Sequence, residues 1–230
     1  KGFDVGIETA LYSGNIAHLE KTYELLHSLG VKFWKMSPAM NVGNWQQEQG
    51  KHDLSIKQLF ETYLDMIRLH RKKEAQFGLM LGGLYYQSPG SKNHVIPYLK
   101  TDGTEAAWQQ VACRSCRVNL YIMADGRLLP CIPMTGSVLE QDMPSVFETP
   151  IAQALAGSRF FDKIDTKVRD VFQNNEKCAS CEHRMRCGGG CRACAMMSAG
   201  NFFASDPYSC YFFENGYEQK IRELLDMPVE

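Results

Sequence analysis

The sequence predicts an α/β fold in residues 1–100, followed by a small α+β domain in residues 101–230. Two observations predict this organisation. The first part alternates strand and helix patterns, which is typical of parallel strands joined by helical crossovers. The second part combines a β-hairpin pattern with a loop dense in cysteine. Residues 87–107, with several Pro and Gly, are interpreted as a linker or surface loop between them.

The first predicted helix lies between two strands. Residues 3–9 and 31–36 have strand patterns, and Pro38 closes the second strand. Asn15 is the candidate N-cap of the helix between them, and Gly30 stands where a helix C-terminus favours glycine. The apolar residues on one face of this helix are Ile16, Leu19, Tyr23, Leu26 and Leu29. The order strand, helix, strand favours parallel pairing.

A second helix and a third strand follow a polar loop at residues 41–53. Ser55 and Gln58 have the spacing of a capping box, in which each residue bonds the backbone of the other. The apolar stripe of this helix comprises Ile56, Leu59, Phe60, Tyr63, Leu64 and Ile67. Residues 77–81 are the predicted third strand, and residues 84–86 (Leu-Tyr-Tyr) are interpreted as core.

Polar residues stand near the predicted ends of the first two strands. Parallel barrels carry their functional residues at the C-terminal ends of the strands. Glu8, Thr9 and Ser37 would lie there, where contacts to a cofactor or a substrate and ordinary strand-end polarity are both open.

Charge and hydropathy exclude several classes of protein. The formal net charge is -1, so no basic surplus indicates nucleic-acid binding. No apolar run approaches the roughly 20 residues that span a bilayer. The chain begins at Lys1 with neither an initiator Met nor a signal-peptide pattern, and we expect it to be a fragment of a longer protein.

The second part has its own succession of elements. Residues 118–122 alternate toward Asp125-Gly126, a strong turn signal, and residues 127–129 return as the second strand of a hairpin. Thr149-Pro150 is a start signal for a short helix through Leu155. The apolar residues of a final helix are Tyr217, Ile221, Leu224 and Leu225.

All 9 cysteines lie between residues 113 and 210. Their number is odd and no secretory signal is present, which favours metal ligation by thiolates over a disulfide framework. The spacing is Cys113-x2-Cys116-x9-Gly126-x4-Cys131, then Cys178-x2-Cys181-x5-Cys187-x3-Cys191-x2-Cys194, and finally Cys210. Short spacings let several thiolates converge on one centre at little entropic cost. Because iron–sulfur clusters are commonly held by four cysteine thiolates, the sequence has room for two such sites.

Glycines and arginines accompany the cysteines. Gly188-Gly189-Gly190 lies between two candidate ligands, where glycine lets the backbone approach a cluster closely. A two-residue hairpin would place Cys131 near Leu120, so the chain around Cys116 must bend back in a way that the sequence does not show. Two roles are open for the arginines near the candidate ligands. They compensate the charge of a cluster and tune its reduction potential, or they belong to a solvated surface. These residues are Arg114, Arg117, Arg184, Arg186 and Arg192.

This spacing of cysteine and glycine resembles the SPASM domain, the C-terminal auxiliary-cluster module of many radical S-adenosylmethionine (radical SAM) enzymes. The similarity covers residues 110–215, including Asp206-Pro207 before Cys210. Residues 1–100 resemble the last strands and helices of the preceding barrel. The resemblance therefore implies the C-terminal portion of a partial (β/α) radical SAM barrel, followed by a small SPASM domain with a β-hairpin and a cysteine-rich loop.

The resemblance also implies ligands for two four-iron, four-sulfur clusters. The first auxiliary cluster would be held by Cys113, Cys116, Cys131 and Cys191. The second would be held by Cys178, Cys181, Cys187 and Cys210. Cys113 lies outside the core pattern, and its ligand role is open. Cys194 is left over and is interpreted as a buried or partly buried thiol.

The reactive cluster of the family is bound by a Cys-x3-Cys-x2-Cys motif near the start of the barrel, and residues 1–112 of this sequence contain no cysteine. We therefore expect the chain alone to be inactive, as a truncated, split or degenerate member. The parent enzyme, a radical SAM oxidoreductase or maturase, would carry S-adenosylmethionine and a third four-iron cluster. Auxiliary clusters in the family relay electrons or position the substrate during radical modification of a peptide or protein side chain. We also expect a cytoplasmic location and an electron donor of the flavodoxin or ferredoxin type. We expect no nucleic-acid or membrane partner.

Two other functions are consistent with the spacing. A non-catalytic module for electron transfer or peptide docking would use the same clusters beside a separate enzyme. A structural zinc protein could bind its metal locally through Cys178, Cys181, Cys187 and Cys191, although this leaves the spacing between Cys116 and Cys131 unexplained.

Overall fold

The protein is described by a computed structural model that covers residues 2–40, 42–48, 50–74, 76–156 and 158–226. It forms two compact units. The first unit is built from parts of 1–40, 44–98 and 211–230, and the second from parts of 41–43 and 99–210. Of the predicted loop at 41–53, residues 41 and 49 lie outside the described ranges.

A five-stranded sheet forms the first unit, in the order β1 (Gly6–Leu11), β2 (Phe33–Pro38), β3 (Gly78–Leu81), β4 (Tyr85–Gln87) and β5 (His94–Val95). The first three strands are parallel, which confirms the predicted pairing. The last two strands are antiparallel to their neighbours. The prediction of a loop at residues 94–95 was therefore wrong, because β5 pairs with β4 and extends the sheet.

Two helices connect the parallel strands. Helix α1 (Leu19–Ser28) follows a 3-10 turn at Ile16–His18, and α2 is Ile56–Lys72. Ser55 and Gln58 form the predicted capping box at the start of α2. Fully buried side chains from the strands and both helices make the core of this unit: Trp34, Met36, Leu79, Leu81, Tyr23, Phe60 and Ile67.

Three details around α1 differ from prediction. Strand β1 begins at Gly6 rather than at residue 3. The Asn15 side chain does not cap the helix: its Oδ1 accepts a hydrogen bond from the Tyr12 backbone, and its amide nitrogen donates to the Ala10 carbonyl. Leu29 is 67% exposed, because α1 ends one residue before it and the buried face does not extend that far.

Short helices dominate the second unit, around a two-stranded antiparallel hairpin of β6 (Tyr121–Ile122) and β7 (Leu128–Leu129). The helices are α3 (Ser115–Val118), α4 (Val138–Gln141), α5 (Ile151–Ala156), α6 (Ser158–Ile164), α7 (Val168–Gln173), α8 (Glu176–Ser180), α9 (Arg184–Cys187) and α10 (Arg192–Ala199). Further 3-10 turns lie at Gly43–Glu48, Glu105–Gln109 and Ile132–Met134. The predicted hairpin and the predicted helix through Leu155 are confirmed, while the helices between residues 158 and 199 were not predicted.

The chain leaves the second unit within α11 (Pro207–Glu214), and α12 (Tyr217–Asp226) belongs to the first unit. Tyr217, Ile221 and Leu224 of α12 are buried as predicted. The Tyr217 ring contacts Phe60 edge to face at 5.0 Å between centroids, and its hydroxyl donates to Glu61 at 2.7 Å. Across the described ranges, the helices include none with the length and apolar character needed to cross a membrane.

Candidate metal centres

The first group of thiols comprises Cys113, Cys116 and Cys131. The Cys116 thiol donates hydrogen bonds to both of the other sulfur atoms. Cys116 lies in the single helical turn of α3, just before the hairpin begins. All three cysteines border one apolar cluster that includes the fully buried Leu128 and Leu129 of β7. Hydrophobic packing of the hairpin therefore holds these thiols together.

Hydrogen bonding within this group separates the acidities of its members. The bond from Cys116 lowers the pKa of Cys113 to about 5, with a smaller contribution from the positive charge of Lys100. The same bond, together with the bond to Cys131 and burial, raises the pKa of Cys116. Cys113 is thus present as a thiolate at neutral pH, and the thiolate is the form of cysteine that binds metals.

Cys191 lies beside the first group and immediately before α10. It packs, as Cys131 does, against a cluster of Met134, Ala193, Met196 and Phe202. A hydrogen bond from the Cys194 thiol lowers the pKa of Cys191 to about 6, and the same bond raises the pKa of Cys194. The sequence analysis listed the spacing of Cys191 and Cys194 but did not predict a hydrogen bond between their thiols.

The second group is formed by Cys178, Cys187 and Cys210. Burial raises the pKa of Cys187 to about 12, and the negative charges of Cys210 and Cys178 add to this effect. The Asn175 side chain fixes the Cys178 backbone by accepting its N–H at 3.0 Å, and the Cys178 sulfur lies 3.5 Å from the Ser205 hydroxyl. Cys181 follows at the C-terminal end of α8.

The described ranges include every cysteine, and none of the 9 forms a disulfide. In the same ranges, no three or more His, Cys, Asp or Glu side chains converge in a ready metal-holding arrangement. Hydrogen bonds through Cys116 link the three thiols of the first group, and one further hydrogen bond links Cys191 with Cys194.

The three glycines of the cysteine-rich loop all have left-handed backbone conformations, with φ of 59° at Gly188, 83° at Gly189 and 74° at Gly190. A Cβ at Gly190 would stand 2.6 Å from the Cβ of Asp206, and one at Gly189 would stand 2.9 Å from a methyl of Val171. Both the conformation and the space exclude larger residues here, so the glycines let the loop pass close to its neighbours.

Asp206 and Arg192 are buried beside this loop, with 1% and 2% of their surfaces exposed. The Asp206 carboxylate accepts the Cys191 backbone N–H at 2.8 Å and the Ser209 hydroxyl at 2.5 Å. The Arg192 guanidinium donates to the carbonyls of Phe202, at 2.7 Å, and Gly189. Arg192 is therefore a structural cation rather than a solvated surface residue. Both side chains tie the segment before α11 to the loop that carries Cys191.

The chain is similar to known proteins in sequence and in fold. No family model matches the chain. An AdoMet-dependent heme synthase of Methanosarcina barkeri is 21% identical over 215 residues, which cover 91% of this chain and 56% of that protein. The crystal structure of Streptococcus suis SuiB bound to S-adenosylmethionine superposes with a TM-score of 0.58 at 16% identity, covering 90% of this chain and 45% of SuiB. The chain is related to the radical SAM enzymes.

Other solved radical SAM structures have the same fold. The structure of anSMEcpe with bound AdoMet gives a TM-score of 0.57 at 15% identity, covering 96% of this chain and 56% of that protein. The complex of anSMEcpe with AdoMet and the Kp18Cys peptide gives 0.54 at 14% identity. This chain spans about half the length of these radical SAM relatives. The predicted fold class is confirmed.

Two of the three predicted strand-end residues of the first unit have other positions. Glu8 and Thr9 lie within β1 rather than at its end, because the strand continues to Leu11. Glu8 forms an ion pair with Lys35 at 2.7 Å, and the Thr9 hydroxyl accepts a hydrogen bond from Trp34 at 2.9 Å. That placement was therefore wrong for both residues. Ser37 is the penultimate residue of β2, at the C-terminal end as predicted.

Lys100 is a functional candidate that the sequence analysis missed. Its ammonium donates to the Gly190 carbonyl at 2.6 Å, and its backbone N–H donates to the Arg186 carbonyl at 3.0 Å. A single lysine far from the cysteine-rich loop along the chain has no motif that would have drawn attention to it.

Proposed function

We propose that this chain is the C-terminal part of a radical SAM enzyme and that it binds two auxiliary four-iron, four-sulfur clusters. The proposed ligands of the first cluster are Cys113, Cys116, Cys131 and Cys191. Those of the second are Cys178, Cys181, Cys187 and Cys210. The observation that carries the proposal is the grouping of thiols from distant stretches of the chain, at Cys113, Cys116 and Cys131 and again at Cys178, Cys187 and Cys210.

Cys113 and Cys191, two proposed ligands of the first cluster, suit thiolate ligation. Cys113 and Cys191 have lowered pKa values, so these sulfur atoms reach the metal-binding form at neutral pH. Cys131 and Cys191 share one apolar cluster, which supports placing them at the same centre. Cys181 is assigned from the resemblance, since it follows Cys178 by three residues. The Cys194 thiol would serve Cys191 as a hydrogen-bond donor rather than as a ligand.

When bound, such clusters supply one-electron transfer at low potential. The chain's own residues would hold them, exclude water through the apolar clusters around Leu128 and Met134, and fix the ligands through buried polar groups. We propose that the two centres relay electrons or position the substrate while the parent enzyme modifies a peptide or protein side chain. The complex of anSMEcpe with a peptide supports that substrate class.

The rest of the chemistry is assigned to the parent enzyme. S-adenosylmethionine and a third four-iron cluster would act there, because residues 1–112 contain no cysteine. The Cys-x3-Cys-x2-Cys spacing at Cys187, Cys191 and Cys194 lies among the proposed auxiliary-cluster ligands instead. We propose that the chain alone does not cleave S-adenosylmethionine. We also propose a cytoplasmic location, a flavodoxin- or ferredoxin-type electron donor, domains at residues 1–100 and 101–230, and a polar S-adenosylmethionine or substrate contact at Glu8, Thr9 or Ser37.

Anaerobic purification followed by iron and acid-labile sulfide analysis tests the proposal. Two four-iron clusters predict about eight irons and eight sulfides per chain. We expect Cys131→Ala and Cys210→Ala each to remove about half of the iron, because each variant takes a ligand from a different centre. Cys194→Ala, the matched control, should retain all of it. Stoichiometric zinc without sulfide would support a structural zinc protein and overturn the proposal.

Assays on the reconstituted chain separate the enzyme from the non-catalytic module. The full reading frame should encode a Cys-x3-Cys-x2-Cys segment upstream, and the longer protein should form 5′-deoxyadenosine from S-adenosylmethionine under reducing conditions. The chain alone should form none. A complete reading frame without that segment would instead favour an electron-transfer or docking module.

A further inference from the structure

Lys100 makes two hydrogen bonds to the cysteine-rich loop, one through its backbone and one through its side chain. Its backbone N–H donates to the Arg186 carbonyl at 3.0 Å, just before Cys187. Its side-chain nitrogen donates to the Gly190 carbonyl at 2.6 Å, just before Cys191. Thr101 adds a backbone hydrogen bond to the same Arg186 carbonyl at 3.3 Å. Lys100 is therefore bonded beside a proposed ligand of each cluster, with its backbone next to Cys187 and its ammonium next to Cys191.

Asp206 bonds the same loop next to the contact of Lys100. Its carboxylate accepts the Cys191 backbone N–H at 2.8 Å and the Ser209 hydroxyl at 2.5 Å, and only 1% of its surface is exposed. The peptide unit between Gly190 and Cys191 therefore accepts a hydrogen bond from the Lys100 ammonium and donates one to a buried carboxylate.

Arg192 also contacts the segment between Cys187 and Cys191. Its guanidinium donates to the Gly189 carbonyl, and to the carbonyls of Phe202 and Ala204 at 2.7 and 3.0 Å. Lys100 differs in its second hydrogen bond, because its backbone N–H bonds the carbonyl of the residue just before Cys187. Lys100 is therefore bonded next to a proposed ligand of each cluster.

We propose that Lys100 is a positioning residue shared by both auxiliary clusters, and that its hydrogen bond to Gly190 holds one positive charge where it stabilises both anionic centres at once. This inference rests on the proposed function. Each cluster gains a negative charge when an electron donor reduces it. A fixed cation in a partly buried site favours the more negative state, so Lys100 raises both reduction potentials together.

Potentiometric titration of the anaerobically reconstituted chain, followed by electron paramagnetic resonance, tests the proposal. We compare Lys100→Met, which removes charge and donor, with Lys100→Gln, which keeps an N–H donor, and Lys100→Arg, which keeps the charge. The control is Arg169→Gln, because Arg169 is exposed and 3.5 Å from Asp170. Iron and sulfide are measured on every sample.

We expect the Met and Gln variants to lower the equilibrium constant for one-electron reduction about tenfold at each cluster, which corresponds to about 59 mV. The Arg variant and the Arg169 control should stay within threefold of wild type. Unchanged potentials in fully loaded Met and Gln variants would overturn the proposal, as would a shift at one cluster alone. A shift in the Met variant but not in Gln would show a hydrogen-bonding role without the charge, and would also overturn it.

Lys100 variants that fail to incorporate clusters also test whether one charge serves both centres. Loss of both clusters from Met and Gln, with retention in Arg, would support a charge that both anionic centres require. Loss from all three variants, or loss of one cluster only, would contradict a shared charge. A wild-type chain without iron would instead refute the proposed function itself, and the two failures are thereby distinguished.

Discussion

Gly190→Ala is expected to destabilise the second unit and to disturb the cysteine-rich loop. Gly190 has φ of 74°, a left-handed conformation that residues with a Cβ rarely adopt. A Cβ placed there would stand 2.6 Å from the Asp206 Cβ, 2.9 Å from its carboxylate and 3.0 Å from the Ser209 hydroxyl. These neighbours are buried and hydrogen-bonded to each other, so they cannot move aside without losing that bond.

Two energetic terms add in this variant. The left-handed conformation costs a residue with a Cβ roughly 1–2 kcal/mol. Overpacking a tight interior adds about 1–3 kcal/mol. A comparison with Gly200→Ala isolates the second term, because Gly200 has φ of 65° and nothing within 4 Å of the position that a Cβ would occupy. We therefore expect the Gly190 variant to lose about 1–3 kcal/mol more stability than the Gly200 variant.

Guanidinium denaturation followed by near-ultraviolet circular dichroism measures both variants against wild type, with iron content recorded on the same samples. The additional loss for Gly190→Ala corresponds to roughly 4 °C in melting temperature per kcal/mol. Iron retention should fall in Gly190→Ala and be preserved in Gly200→Ala. Equal stabilities for the two variants would refute the steric reasoning and leave only the backbone term.

Three further perturbations test the first unit. Burial lowers the pKa of His70 to about 4, so the unfolded chain binds the proton first as pH falls. The free energy of unfolding should therefore drop by about 3 kcal/mol between pH 6.5 and 4. A His70→Phe variant that kept this pH dependence would contradict the prediction. Ser55→Ala should cost about 1 kcal/mol of stability, because Ser55 accepts the Gln58 backbone N–H at 3.1 Å; the comparison is mid-helix Thr62→Ala, and equal losses in denaturant melts would count against the cap. Glu8→Gln should change stability by less than about 1 kcal/mol, because its ion pair is exposed; a larger loss in the same melts would mean that the pair is stronger than surface pairs are.

Local sequence signals were sufficient for much of the fold. The Ser55 capping box, the buried stripe of α2 and the turn at Gly126 each depend on residues within a few positions of one another, and all three are present. Predictions failed where non-local contacts decided the outcome. Strand β5 exists because His94 and Val95 pair with β4, although their own sequence shows no strand pattern.

In the candidate site, too, some features follow from the sequence and others depend on contacts between distant segments. Cysteine spacing gave room for two four-thiolate sites, and the family resemblance that this spacing carries implied the eight proposed ligands and their two groups. The pairing of Cys191 with Cys194 depends on the start of α10, and the contact of Lys100 with Gly190 joins segments that are distant along the chain. Neither contact has a signature in local sequence.

The sequence by itself determined the residue types: thiols for ligation, glycines where no Cβ fits, and apolar residues at the spacing of helices and strands. Only the tertiary structure decided which charges surround those thiols. Electrostatic interaction depends on distance through space, and the fold alone places Lys100, Asp206 and Arg192 around a single loop.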